Sequence, residues 1–346
     1  MGEESEVLFE RRGVAGIITL NRPRALNALT LGMVRAIHPK LIAWADDPKI
    51  HCVVIESAGE KAFCAGGDIR ALYDWGQAGD PAALDFWREE YRLNCYIKRY
   101  KKPYIALMDG INMGGGVGVS VHGSHRVATE NLTFAMPETG IGLFPDVGGT
   151  YFLPRCPGAT GMYLGLTGTR LKAADAIYAG IADAYVPSVR LDVLKDRLAG
   201  GTDPRVALRE VAEEEGAPPL APMQDEIGAH FSRDSVAEIL ASLRAEGSAW
   251  AMKTADTIES KSPTSTLIAF RQIRAGADLD FEDCMKLEFR LISRFVAGHD
   301  FYEGVRAVVI DKDQSPNWRP AHLADMKPSE VDHYFAPLGA DELTLP

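Results

Sequence analysis

The sequence predicts an α/β core followed by a mostly helical C-terminal region. In the first half of the chain, short runs rich in β-branched residues alternate with segments of helical periodicity, which is the pattern of parallel strands joined by helices. After about residue 200, a stretch rich in glycine, proline and charge precedes several segments with helical spacing. Because 346 residues exceed what one compact core usually holds, we predict two parts, residues 1–199 and residues 200–346.

The elements of the predicted core are short. A helix is expected over residues 31–44, with Thr30 as its N-cap. A buried helical segment is expected over residues 117–122, after three consecutive glycines. The predicted strands are mostly apolar and cover residues 14–20, 52–56, 103–108, 125–129 and 132–135.

The C-terminal region is predicted to consist of helices. Apolar residues recur at helical spacing over residues 234–245, 248–259, 263–275 and 281–296. Two of the starts carry clear signals, because Ser262 stands before a proline and Asp280 stands before two acidic residues. We therefore expect the last two of these helices to begin at residues 263 and 281.

Composition and charge exclude several classes of function. A formal net charge of -11 argues against a nucleic-acid partner, which would require a basic surface. No run of about 18 apolar residues is present to cross a membrane, and the acidic N-terminus lacks an apolar signal core. The five cysteines are scattered without a CxxC pair, so we expect reduced thiols, no metal site and a cytoplasmic location.

The first loop with chemical potential is KAFCAGGDIR, over residues 61–70. Gly66 and Gly67 remove side-chain bulk, so that a ligand can approach the main chain closely. Their N–H groups could then donate to an oxygen that becomes negative, as in an oxyanion hole. The alternative is a tight turn between a strand and a helix, for which this segment is equally suitable.

The second loop, over residues 109–118, contains the triplet Gly114-Gly115-Gly116. Glycines at the start of a helix offer unhindered N–H groups at its positive end. The dinucleotide fingerprint GxGxxG and the P-loop sequence GK[ST] are both absent here. The loop is therefore either a main-chain donor site or a place where a helix packs closely.

The third segment, over residues 132–155, contains the carboxylates Glu138 and Asp146 among apolar residues and glycines. A charge in such surroundings is unfavourable unless it is paired or functional. We interpret Glu138 as the group that performs chemistry and Asp146 as the group that holds the reacting molecule or a water. The alternative is that each acid is salt-bridged or caps a helix.

Together these segments resemble the crotonase (enoyl-CoA hydratase/isomerase) superfamily. Its motifs appear in the family's order as NRPRALNAL over residues 21–29, AFCAGGD over residues 62–68, the glycine triplet and residues 132–155. The resemblance covers roughly residues 7–199 and implies a spiral of ββα repeats. It also implies that the C-terminal α-helical region covers the active site, an oligomer interface or both.

The resemblance implies an acyl-CoA thioester as the substrate, so that coenzyme A is part of the substrate and no separate cofactor is expected. Each glycine loop would supply one oxyanion-hole amide, from Gly67 and Gly115. The positions that match the family's CoA contacts are Arg24, Ala25, Leu26, Ala65, Gly67, Asp68 and Ile69. The positions that match contacts with the acyl group are Glu90, Gly115, Glu138 and Asp146. For Glu90 the alternative is a solvated acid on a helix.

Departures from the hydratase pattern narrow the predicted reaction. Gly118 stands where hydratases carry their first catalytic glutamate, whereas the second is retained as Glu138. Because hydration in the hydratase manner uses two carboxylates as an acid–base pair, ordinary hydratase activity is not expected. Asp146 stands where hydratases have a glycine.

The segment over residues 86–94 and the tail motif DFYEGVRA, over residues 300–307, resemble one subgroup of the superfamily. Its members are thioester hydrolases of valine breakdown that convert 3-hydroxyisobutyryl-CoA to 3-hydroxyisobutyrate and CoA. The resemblance implies Glu138 as nucleophile or general base. Our hypothesis for Asp146 is that it binds the 3-hydroxyl group and aligns the nucleophile.

Two alternatives stay open at this point. An enoyl-CoA isomerase or hydratase of fatty-acid metabolism is the first, because some relatives isomerise with a single glutamate at the position of Glu138. A non-catalytic acyl-CoA-binding or RNA-binding relative is the second, although the net charge of -11 disfavours RNA. The resemblance implies a homo-oligomer, since relatives commonly form trimers or hexamers. The alternative is that the longer helical tail of this chain covers that interface.

Overall fold

The computed structural model describes residues 5–345, and its strands form two sheets. The larger sheet has six strands in the order β1-β2-β3-β5-β7-β9, and the smaller has three in the order β4-β6-β8. The strands are β1 (Val7–Arg12), β2 (Ala15–Leu20), β3 (Cys52–Ser57), β4 (Ala62–Cys64), β5 (Tyr104–Met108), β6 (Ile111–Met113), β7 (His125–Ala128), β8 (Thr133–Ala135) and β9 (Ala184–Tyr185).

Strand pairing follows the ββα repeat that the resemblance implies. Strands β3, β5 and β7 lie in the larger sheet, and each is followed along the chain by a strand of the smaller sheet. Strand β1 pairs antiparallel with β2, whereas β2, β3, β5, β7 and β9 pair in parallel. The predicted α/β core of parallel strands and its spiral of ββα repeats are therefore confirmed.

Helices occur throughout the described residues, and they are the only regular elements after residue 200, as predicted. In the described residues they are α1 (Leu31–Asp46), α2 (Ile69–Gln77), α3 (Ala82–Lys98), α4 (Gly115–Ser120), α5 (Gly149–Phe152), α6 (Thr160–Thr167), α7 (Ala173–Tyr178), α8 (Leu191–Ala199), α9 (Pro204–Val211), α10 (Gln224–Phe231), α11 (Val236–Glu246), α12 (Ala249–Glu259), α13 (Pro263–Gly276), α14 (Phe281–Val296), α15 (Asp300–Val305) and α16 (Pro328–Phe335).

The predicted helix caps are present. The hydroxyl of Thr30 accepts from the N–H of Met33 at the start of α1. Ser262 caps α13 and Asp280 caps α14 in the same way. Each cap satisfies one N–H group that has no partner inside its helix, which fixes the residue at which the helix begins.

Contacts group the chain into two compact units, each made of separate segments. Unit 1 comprises residues 1–68, 89–134 and 171–221, and unit 2 comprises residues 69–88, 135–170 and 222–346. The two units are defined by contacts between residues. The predicted parts, residues 1–199 and 200–346, are defined by secondary-structure content. The domain prediction therefore concerns a different division of the chain and stays a prediction.

The core of unit 1 lies against the larger sheet. Apolar side chains of β2, β3, β5 and β7 pack with those of α8 and α9. Burial of such side chains stabilises the larger sheet. The glycines of the two loops follow β4 and β6, which belong to the smaller sheet. Within residues 5–345, no helix is both long enough and apolar enough to cross a bilayer.

Candidate active site

The glycine triplet of unit 1 needs glycine at each position for a different reason. Gly114 has φ 46° and ψ −123°, a conformation that side chains strongly disfavour. A Cβ atom on Gly116 would lie 2.4 Å from the carbonyl oxygen of Cys64. A Cβ atom on Gly115 would lie 2.6 Å from Oε1 of Glu90. The loop is therefore a site of close packing at which side chains are not tolerated.

The main-chain amides of Gly67 and Gly115 lie near each other. A Cβ atom on Gly115 would lie 3.3 Å from the nitrogen of Gly67. Gly67 forms a parallel bridge with Leu29 in which the hydrogen bonds use Gly66 and Asp68, so the N–H of Gly67 points away from Leu29. Within residues 5–345, neither the Gly67 nor the Gly115 N–H donates to a main-chain carbonyl in a turn, loop or cap. Two neighbouring free donors are what an oxyanion hole requires.

Glu90 lies beside this pair of amides. It belongs to α3, where its side chain is 1% exposed. Its neighbour Glu89 faces the surface and pairs with Arg35 at 2.6 Å. Glu90 is therefore not a solvated acid on a helix, and its assignment as a substrate contact stays a prediction.

The predicted CoA segment of unit 1 lies at a cavity of about 540 Å³. Arg24 and Ala25 belong to a short 3₁₀ helix, and Leu26 follows it with φ 51°. The N–H of Ala65 donates to the carbonyl of Leu26 at 3.0 Å, which joins two of the predicted CoA segments. Arg24 and Lys61 are exposed cations at this cavity, where phosphate groups could be held.

Asp68 has a structural partner. Its carboxylate accepts from the guanidinium of Arg22 at 2.9 Å, and Arg22 also pairs with Glu6. This ion pair ties the loop after β4 to the segment after β2. Ile69, the last predicted CoA contact, is the first residue of α2 in unit 2. The assignment of Asp68 and Ile69 to CoA binding stays a prediction.

In unit 2, Glu138 is a buried carboxyl group at the start of a 3₁₀ helix, Glu138–Ile141. Its side chain is 5% exposed, and its Oε2 has no hydrogen-bond partner among the described residues. Burial raises the pKa of Glu138 well above its usual range, and the nearby charges of Asp146 and Glu288 raise it further. A buried acid with raised proton affinity is a common feature of catalytic bases and nucleophiles.

Asp146 is the second buried acid of this segment, with 6% exposure. It precedes Val147 and Gly148, which have φ values of 49° and 91°. The carbonyl of Asp146 accepts from the N–H of Gly149 at 2.8 Å, which closes a turn just before α5. Asp146 is close enough to Glu138 to raise the pKa of that group, so the structure brings the two predicted catalytic residues together.

Glu288 is a third buried acid of this region, and the sequence patterns did not indicate it. It lies in α14, is 0% exposed, and accepts from the N–H groups of Gly148 and Thr150 at 2.9 Å each. Burial and the charge of Asp146 raise the pKa of Glu288 to about 8. One signal in the sequence could have indicated Glu288. It is an acid at a position of α14 where the helical spacing predicts a core residue.

The tail motif packs directly on the segment that carries Glu138. A Cβ atom on Gly142 would lie 2.0 Å from the carbonyl oxygen of Asp300, and one on Gly304 would lie 2.3 Å from the carbonyl carbon of Ile141. The carboxylate of Asp300 accepts from Ser262 and from the N–H of Arg319. The motif DFYEGVRA therefore supports the 3₁₀ helix that begins at Glu138.

Substituting Gly304 with alanine tests this support. The new methyl group would overlap the main chain of Ile141, so we expect a loss of about 1–3 kcal/mol in the free energy of unfolding. We also expect a fall in kcat, because the displaced main chain carries Glu138. Chemical denaturation and thioester turnover measure the two effects.

The matched control is Gly228→Ala, in α10, where a Cβ atom would meet nothing within 4 Å. Alanine there should be neutral or slightly stabilising. Equal behaviour of the two variants would contradict the proposed packing of the tail.

Cys64 is not suited to act as a nucleophile. The thiol of Cys64 is fully buried, and burial raises its pKa to about 12, so that it stays protonated at neutral pH. Within residues 5–345, no group of three or more His, Cys, Asp or Glu side chains could hold a metal ion.

The sequence matches the family model described as "Enoyl-CoA hydratase/isomerase" over residues 15–335. It is 50% identical to "3-hydroxyisobutyryl-CoA hydrolase, mitochondrial" of Xenopus tropicalis, over 99% of this chain and 92% of the relative. It is 46% identical to the Homo sapiens protein of the same name, over 98% of this chain and 90% of the relative.

Solved structures agree with this relationship. The crystal structure of a carnitinyl-CoA dehydratase from Mycobacterium thermoresistibile superposes with a TM-score of 0.94, 43% identity and 99% coverage of both chains. That of an enoyl-CoA hydratase from Rhodobacter sphaeroides has a TM-score of 0.91 and 43% identity, over 99% of this chain and 100% of the other. The chain therefore belongs to the enoyl-CoA hydratase/isomerase family.

Proposed function

We propose that this protein hydrolyses 3-hydroxyisobutyryl-CoA to 3-hydroxyisobutyrate and CoA. The observation that carries the proposal is the buried pair Glu138 and Asp146, with no carboxylate at Gly118. Relatives that are 46–50% identical over nearly the whole chain are named as hydrolases of this thioester. Acyl-CoA is thus the substrate class, as the family also indicates.

The structure of α4 argues against hydratase chemistry. Gly118 is a buried residue of this helix and provides no side chain that could act as an acid or a base. Addition of water to a double bond in the hydratase manner requires two carboxylates that exchange protons with the same substrate. The titles of the two similar solved structures name a dehydratase and a hydratase, so hydration is the alternative that an assay has to exclude.

In the proposed mechanism the thioester carbonyl oxygen accepts from the N–H groups of Gly67 and Gly115. These donors stabilise the negative charge that develops on the oxygen as the carbonyl carbon becomes tetrahedral. Removing one such donor from an oxyanion hole has raised the barrier by about 2.7–4 kcal/mol in another hydrolase. The main chain therefore contributes much of the expected rate enhancement.

Glu138 acts next, by one of two routes. As a nucleophile, its carboxylate oxygen forms a bond to the carbonyl carbon, and the C–S bond breaks with its electron pair leaving on the CoA thiolate. Water then hydrolyses the resulting anhydride and regenerates the carboxylate. As a general base, Glu138 instead takes a proton from the attacking water and delivers it to the departing thiolate.

Both routes require ionised Glu138. Because burial raises the pKa of this group, its carboxylate is more basic than an exposed one once it has lost its proton. Activity should therefore increase with pH through a range well above the usual pKa of a glutamate.

Asp146 provides the proposed specificity for a hydroxylated acyl group. An ionised carboxylate that accepts a hydrogen bond from the substrate's 3-hydroxyl is worth more than a neutral acceptor. A plain acyl chain offers no donor for this hydrogen bond, so its transition state should be stabilised less than that of the hydroxylated chain.

A CoA-release assay with three thioesters tests the proposal. We expect turnover of 3-hydroxyisobutyryl-CoA, slower turnover of isobutyryl-CoA, and no hydration of an unsaturated acyl-CoA. Thiol release is followed with a chromogenic disulfide, and hydration by loss of enoyl absorbance. Hydration or isomerisation without release of free thiol would contradict the proposal and establish the alternative.

The oligomeric state and the cellular location of this protein are predictions. A homo-oligomer, as the family resemblance suggests, is measured by light scattering of the purified protein. The similar vertebrate proteins are named as mitochondrial, and the cytoplasmic location expected from the sequence stays a prediction.

A further inference from the structure

The turn that carries Asp146 is held by side chains from two C-terminal helices. We define the Asp146 turn as residues 145–150, which connect the Glu138 segment to α5. Glu288 approaches it from α14, and Gln272 approaches it from α13. Both side chains are 0% exposed and belong to unit 2, as does the turn.

The contacts of Glu288 are made with the main chain of the turn. Its Oε2 accepts from the N–H of Gly148 and its Oε1 accepts from the N–H of Thr150, each at 2.9 Å. Gln272 donates from Nε2 to the carbonyl of Pro145 and to the hydroxyl of Thr150. The residues on both sides of Asp146 are therefore fixed by buried hydrogen bonds.

This turn needs such support because its conformation is unfavourable. Val147 has φ 49°, in the left-handed region that β-branched residues rarely adopt. A strained conformation of this kind persists only where its surroundings determine it. Glu288 fixes the conformation of Val147 through its hydrogen bonds with the N–H groups of Gly148 and Thr150, which follow Val147 along the chain.

We propose that Glu288 is a positioning residue for the hydrolysis, which holds the Asp146 turn in the conformation that lets Asp146 bind the substrate's 3-hydroxyl group. This inference rests on the proposed function. Glu288 acts through the main chain of Gly148 and Thr150, and its effect is to distinguish hydroxylated from plain acyl groups.

The charge of Glu288 has a separate consequence. The titratable groups that interact with Glu288 include Asp146, Glu138 and Cys284. Burial raises the pKa of the Cys284 thiol to about 12, so this thiol stays neutral. Because the Glu288 charge raises the pKa of Glu138, its removal should move the acid limb of the pH–rate profile to lower pH.

Two variants of Glu288 separate these effects. Glu288→Gln keeps the shape but loses the charge and one acceptor, and Glu288→Asp keeps the charge but withdraws it from the turn. For both, assayed above pH 8, where Glu288 is ionised, we expect kcat/KM for 3-hydroxyisobutyryl-CoA to fall about 10- to 100-fold, the range expected for losing a hydrogen bond to a charged group. Turnover of isobutyryl-CoA should change less than about threefold. The acid limb should move only in Glu288→Gln.

The control is Glu282→Gln, a charge change in the first turn of the same helix, which should leave the substrate preference unchanged. An equal loss on both esters, an unchanged preference, or failure of both Glu288 variants to fold would overturn the inference. If the wild-type protein releases no CoA, the proposed function itself is wrong. If it cleaves both esters equally, hydrolysis stands but the role of Asp146, and with it this inference, is wrong.

Discussion

Glu138→Gln is expected to lower the rate of CoA release by about 10³- to 10⁴-fold, the upper part of the range for a positioned base. The amide has nearly the same shape as the carboxyl group, but it neither attacks a carbonyl carbon nor takes a proton from water. Binding of the CoA ester should persist, because Glu138 is not among the predicted CoA contacts. Steady-state turnover and equilibrium binding of the same thioester measure the two quantities.

The same substitution should change how stability depends on pH. The folded-state pKa of Glu138 is raised above its unfolded value, so the folded protein binds more protons between these two values. The contribution of this group to stability is therefore fully present below a pH of about 4.5, the unfolded value, and is lost as pH rises through the folded pKa. Glutamine does not titrate. Raising the pH from 5 to 9 should therefore lower the free energy of unfolding less in Glu138→Gln than in the wild type.

Glu259→Gln is the matched control for both measurements. Glu259 is an acid of unit 2 that pairs with Arg244 at the surface, and its substitution should leave turnover unchanged. Turnover of Glu138→Gln within tenfold of the wild type would rule out the proposed catalytic role. If the unfolding midpoints of Glu138→Gln and of the wild type change by the same amount across this pH range, the raised pKa of Glu138 is ruled out.

Gly115→Ala is expected to lower kcat by about 10²- to 10³-fold, the range for loss of one oxyanion-hole donor. The added methyl group would lie 2.6 Å from Oε1 of Glu90 and 3.3 Å from the nitrogen of Gly67. It therefore occupies the space in which the carbonyl oxygen would accept from both amides, and it forces the Glu90 side chain to move.

Gly216→Ala is the control for this substitution, because a Cβ atom there meets nothing within 4 Å. We expect this variant to turn over substrate at the wild-type rate. Both kcat and the free energy of unfolding are measured for Gly115→Ala and for Gly216→Ala. A Gly115→Ala protein that is folded and fully active would exclude the amides of Gly67 and Gly115 as the oxyanion hole.

The sequence predicted the longer elements well because their signals are local. Helix α14 begins and ends at the predicted residues, since Asp280 caps it and apolar residues recur along its length. Strands β2, β3 and β5 follow apolar runs that are long enough to show a pattern. Strands β4 and β6 were not predicted, because three residues beside glycine-rich loops carry no periodicity.

The candidate site was predicted in part, and the missing part depends on long-range packing. Glu138 and Asp146 stand close in sequence among apolar residues, so their burial could be anticipated. Glu288 lies 140 residues after Gly148, whose N–H it accepts, and no local pattern connects the two. The burial of Glu90 depends in the same way on how α3 packs, which spacing on the helix could not decide.

A crystal structure of Glu138→Gln with 3-hydroxyisobutyryl-CoA would test the central claim most directly. We predict that the thioester carbonyl oxygen lies about 2.7–3.1 Å from the nitrogen atoms of Gly67 and Gly115, with the substituted carboxamide at position 138 facing the carbonyl carbon. A bound thioester whose carbonyl contacts neither amide, or whose carbonyl carbon is remote from position 138, would contradict the mechanism.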